Sequence, residues 1–112
     1  MTVNLRSDGR AVDVVIPSKY PTVTKGDLIQ ADGWYGVACT NGKQGDVIAI
    51  ETTQREFAFT VDAGVTAAKG DVLYIDAANG KITATKGTNT PALRVTKAKD
   101  ANNVIWAKLI AQ

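Results

Sequence analysis

The sequence predicts an all-β fold, a compact small barrel or sandwich with an extended N-terminal arm, and three observations predict it. Two short apolar runs, residues 34–40 and 45–50, flank a Gly/Asn-rich reversal at Asn41-Gly42-Lys43-Gln44. The pair Gly-Asp stands before an apolar run three times, at Gly26-Asp27, Gly45-Asp46 and Gly70-Asp71. Glycine reaches positive φ without steric cost, and aspartate bonds nearby backbone amides, so each pair is a tight corner that feeds a strand. Lastly, apolar and polar residues alternate at 57–61 and 104–110, and no helix of normal length is evident. Frequent turns between about eight or nine short strands give a barrel or sandwich.

Taken in order, Met1 to Arg6 is an arm that packs weakly on its own domain, and Ser7-Asp8-Gly9-Arg10 is a turn. We therefore divide the chain into an arm, 1–10, and one β domain, 11–112. Residues 12–16 form a strand with Val12, Val14 and Ile16 inward, ended by Pro17, which donates no ladder hydrogen bond. Residues 18–24, with Tyr20-Pro21, are an extended connection. Residues 28–31 are a short strand, and Asp32-Gly33 is a hairpin turn leading into the 34–50 hairpin. Phe57, Phe59 and Val61 share one face of the next strand; as the only phenylalanines lie here, it is placed at the centre of the core. Residues 62–68 are a loop or a single helical turn. Residues 72–76 and 81–85 form a hairpin around Asn79-Gly80. Residues 92–95 read as a strand. In the closing strand Ile105, Ala107 and Leu109 face inward, while Lys108 marks a wet face that Trp106 shares.

Composition narrows the chemistry. The 112 residues carry a net charge of +2 with both signs scattered, far from the basic stripe of a nucleic-acid binder. No segment is apolar for long enough to span a bilayer as a helix, and the N-terminus lacks the layout of a secretory signal. With one cysteine, Cys39, and no histidine, an intramolecular disulfide is excluded and a zinc site lacks ligands. Cys39 reads as a small hydrophobe within an apolar strand. The nearest thing to a phosphate loop, Gly64 to Asp71, has lysine and glycine in the wrong order and an aspartate where a hydroxyl should stand. The carboxylates Asp27, Asp46 and Asp71 are the corner residues, and Asp76-Ala77-Ala78-Asn79-Gly80 lacks the alternate oxygen ligands of a calcium loop. Neither Ser7 nor Ser18 has a base or a nucleophile elbow. The expectation is no enzyme, no catalytic residue, no metal and no cofactor.

What remains is surface. Trp106 on the wet face, Trp34 and Tyr35 at a hairpin mouth, and Tyr20 before a proline are large aromatics where a monomer gains little from them. Aromatics are enriched at the buried centres of interfaces, so Trp106, Trp34 and Tyr35 are candidate subunit contacts. An arm that leaves Val3 and Leu5 unburied fits the same idea.

The order of segments resembles the tailed-phage capsid cement, or head decoration, proteins over residues 5–109. The matching features begin with the Gly-centred turn before Ala11-Val12 and Lys25-Gly26-Asp27-Leu28-Ile29. Gly36-Val37-Ala38, Gly45-Asp46-Val47 and Phe57-Ala58-Phe59 follow. Lys69-Gly70-Asp71-Val72-Leu73-Tyr74-Ile75-Asp76 and the closing Ile105-Trp106-Ala107-Lys108-Leu109 complete the pattern. It departs at Ala92-Leu93-Arg94-Val95, where relatives carry Ile-Gly-hydrophobic. The resemblance implies a virion protein, made in a bacterial cytoplasm, that binds major capsid protein on the outside of a head. It would act as a homotrimer at local three-fold positions, stabilising the shell against internal DNA pressure, with no direct nucleic-acid or membrane contact. Val3, Asn4, Leu5 and Arg6 would then be the capsid-contacting arm. An alternative reading is a small β-barrel displayed on the virion that binds a ligand or carbohydrate, with Trp34 and Tyr35 stacking on a sugar ring.

Overall fold

The computed structural model describes residues 11–111, so the arm and its Ser7–Arg10 turn lie outside the described residues. Within them are eleven strands and no helix. Strands β1 (Ala11–Val15), β6 (Val47–Glu51), β4 (Trp34–Ala38) and β3 (Leu28–Ala31) form one antiparallel sheet in that order. A second sheet runs β7 (Glu56–Thr60), β11 (Val104–Leu109), β10 (Thr90–Lys97), β8 (Val72–Ile75) and β9 (Ile82–Thr83). Two-residue strands β2 (Thr22–Val23) and β5 (Gly42–Lys43) pair with each other. The 34–50 reversal is therefore not a simple hairpin: β4 pairs with β6, and its tip reaches out as β5 to hold the connection after β1.

The three Gly-Asp corners are copies of one structure. At each, glycine has φ between 90 and 97°, and the aspartate amide donates to the carbonyl three residues earlier: Thr24, Lys43 or Ala68. Each aspartate Oδ2 accepts the amide of that same residue, at 2.9, 3.0 and 2.9 Å respectively. Each Gly-Asp pair also brackets a single residue of another segment: Ala38, Ile16 or Val95 donates to the aspartate carbonyl and accepts from the glycine amide. Two residues opposing one, with glycine in the left-handed region, is a bulge that bends a strand into its turn. The Asp32-Gly33 turn has positive φ at both residues (52 and 81°), the geometry a two-residue hairpin demands.

Alternation then builds two cores that share a wall. Val14, Ile16, Ile48 and Ile50 pack with Ile29, Ala31 and Ala38. On the other side of the same β3–β4 hairpin, Leu28, Tyr35 and Val37 pack against Phe59, Leu73, Leu93, Ile105 and Leu109. The hairpin is thus buried on both faces, which is why its sequence reads as an almost unbroken apolar run.

Two expectations change. The strand placed at the centre of the core, β7, is the last strand of its sheet: Phe59 and Val61 lie in the core, while Phe57 is only half buried against it. The strand expected at 92–95 runs eight residues. Ala92 is an extra residue in its pairing with β8, so Ala92 and Leu93 are both fully buried, and Pro91 sits beside this bulge, where the missing donor is tolerated.

Candidate interaction surface

The inner residues of β11, Ile105, Ala107 and Leu109, are at most 2% exposed, so period-two alternation forces Trp106 and Lys108 to the opposite face. Nothing else among the described residues is layered on that face. Trp106 stands beside Ala58 of β7 and Lys97 of β10, and Lys108 lies between Glu56 and Arg94. Alanine is too small to wall off the indole, and 40% of Trp106 remains open. Charged groups surround it in fixed positions. The Thr96 hydroxyl donates to the Glu56 carboxylate, and the Arg94 guanidinium donates to the Gly70 carbonyl at 3.0 Å. A half-open indole on a sheet face, framed by polar groups, has the layout of a protein contact.

Trp34 is likewise 42% exposed. It opens β4 opposite Ala31 and so points to the side of Ile29 and Ala31, over the end of the four-stranded sheet. Tyr35 does not share its surface. That ring is 7% exposed, its hydroxyl donates to the Ile110 carbonyl at 2.6 Å, and burial pushes its pKa up. The Trp34–Tyr35 platform expected at the hairpin mouth is therefore not formed; Tyr35 ties β4 to the end of β11. Tyr20 is also buried, with its hydroxyl donating to the Gly80 carbonyl and accepting the Gln30 amide, both at 3.0 Å. Desolvation by burial raises its pKa to about 12, against the amide bond from Gln30, which lowers it; the Asp27 charge adds to the rise.

Sequence reasoning missed two exposed residues. Val15 and Val47 face each other across β1 and β6, 46% and 67% exposed. The signal was present, because placing Val14 and Ile16 inward puts Val15 outward. Val3, Asn4, Leu5 and Arg6 lie outside the described residues. Cys39 is half buried just past the end of β4 rather than inside it. No group of three or more potential metal ligands occurs among the described residues.

Comparison with known proteins agrees with this picture. The model of a family described as phage cement protein matches residues 7–109. Among solved structures, the chain is similar to the head fiber gp8.5 N base in bacteriophage phi29, with a TM-score of 0.53 and 15% sequence identity. That match covers 89% of this chain and 94% of the other; at such identity it speaks for the fold alone. No curated protein sequence matches.

Proposed function

This chain belongs to the phage cement proteins, and we propose from that premise that it clamps the outside of a phage head. Family membership gives it a structural role on the capsid and a place in the virion. Beyond that, we read it as a homotrimer at local three-fold positions, bound to major capsid protein and resisting the outward push of packaged DNA. The observation that carries this reading is the open outer face of the five-stranded sheet, with Trp106 on its second strand. Trp106 and Trp34 are assigned to contacts between copies, and Val3, Asn4, Leu5 and Arg6 to the shell, with residues 11–112 acting as one rigid body. Protein that binds assembled shell and not free subunits stabilises the shell by mass action, without any chemical step. The test is to mix the protein with expanded empty heads and image the product. Added density at three-fold positions and a higher disruption temperature are expected; bare heads, or monomers at high protein concentration, would refute it.

A further inference from the structure

The two sheets have four edge strands, and three of them are closed. On β1 the Val15 amide donates to the Asp32 carboxylate at 2.9 Å. On β3 the Gln30 amide is taken by the Tyr20 hydroxyl. β9 has only two residues. The fourth, β7, is five residues long, pairs with β11 in unbroken register, and contains neither proline nor lysine. Natural sheets blunt exposed edges by shortening, bulging or charging them, so an edge left plain is available for pairing.

Its free side faces a groove. The Val61 amide donates to the Asn103 carbonyl, so in the antiparallel ladder the odd residues of β7 bond β11, and Ala58 and Thr60 turn their backbone groups outward. Both line a groove of about 510 Å³. The opposite wall includes Leu28 of β3. Asp27 is bonded to Ala38, so by the same rule the backbone groups of Leu28 also point away from β4. Phe59, Val61 and Ile82 are apolar residues of its lining. Its rim carries Lys19, Lys25 and Lys81 against Asp27 and Asp62. With Asp62 4.0 Å from Lys81, Lys19 and Lys25 share the one remaining carboxylate, Asp27, so the rim carries an excess of one positive charge.

We propose that this groove takes one extended segment of the shell protein, apolar at alternate positions and bearing a carboxylate, added as a strand on the free edge of β7. Main-chain bonds to Ala58 and Thr60 supply adhesion, and the apolar pocket with Lys25 at its rim sets which segment fits. The inference rests on the capsid reading above and names the chemistry of its partner.

Amide hydrogen exchange on the wild-type protein, free and bound to expanded heads, tests it together with Ala58→Pro. Proline at an outward-facing edge position removes the N–H that Ala58 offers to the guest and no bond to β11. The Ala58 and Thr60 amides exchange freely in solution and slow at least ten-fold on heads, while Ala58→Pro keeps its melting temperature and loses at least ten-fold in binding. Should the variant fail to fold, the exchange data on wild type decide. Wild type that binds heads with both amides still exposed overturns this inference alone. So does protection that appears on self-association without heads. Failure of wild type to bind heads at all overturns the capsid reading as well.

Discussion

Replacing Trp106 with alanine removes the ring that defines the outer face of the five-stranded sheet. A tryptophan offers up to about 250 Å² for burial. With 40% of Trp106 open, on the order of 100 Å² remains for a partner to cover. At about 25 cal/mol per Å², that area contributes roughly 2.5 kcal/mol to a contact, which is a weakening of about 60-fold when it is lost. The fold is weakened too: the roughly 150 Å² of the ring already covered within the chain contributes up to about 4 kcal/mol by the same arithmetic, so stability and association must be read separately.

Sedimentation equilibrium across a wide concentration range, paired with thermal unfolding of the same samples, separates the two effects. The expected pattern, at a temperature where both proteins are folded, is weakened self-association together with a lowered melting temperature. Trp106→Phe, which keeps an aromatic disc of smaller area, should fall between wild type and alanine. Self-association within three-fold of wild type would refute the assignment of Trp106 to a contact between copies.

Three further outcomes follow from the same geometry. Gly80 has φ +74°, and a Cβ there would lie 2.4 Å from Tyr20 Cζ, whereas at Gly26 (φ +97°) a Cβ meets open space. Gly26→Ala should therefore cost only backbone strain, about 1–2 kcal/mol. Gly80→Ala should cost about 3–4 kcal/mol, because it also displaces a hydroxyl that makes two hydrogen bonds; urea unfolding at unchanged slope measures the difference. Tyr20, raised to about 12 in the folded state, favours its neutral form there. Its stabilisation is complete below the unfolded value near 10 and drains away between about pH 10 and 12, on the order of 2 kcal/mol. Tyr20→Phe should flatten that alkaline limb in denaturation followed against pH. Deleting residues 1–6 should weaken binding to expanded heads at least ten-fold with the melting temperature unchanged, whereas loss of the fold would make the arm a core strand.

Local chemistry is what the sequence displayed most clearly. Each Gly-Asp corner is closed by bonds reaching three residues back, so its geometry can be read from neighbouring letters alone. The inner faces of β1 and β11 were legible for a similar reason, since alternation needs nothing from elsewhere in the chain. Strands of two residues such as β2, β5 and β9 are shorter than one period of any pattern, and they exist because a neighbour supplies the pairing. Nor does alternation reveal whether a strand has one neighbour or two, so the place of β7 at a sheet edge was not legible.

The aromatic residues show where local reading ends and function begins. Tyr20 and Tyr35 looked as stray as Trp34 and Trp106, yet both tyrosines are buried. Their hydroxyls find carbonyls 60 and 75 residues away, at Gly80 and Ile110. A phenol can be taken into a core when its one polar tip is satisfied, and only the folded chain decides whether a carbonyl stands in the right place. The two indoles, 42% and 40% open, have no such anchor among the described hydrogen bonds. Folding therefore sorts one uniform class of sequence candidates into internal ties and half-open rings. The surface left after that sorting has Trp106 on a sheet face, Trp34 at a sheet end and the plain edge of β7. Each indole is more than half covered by its own chain and leaves the rest of its ring open, which is the part a partner would have to cover.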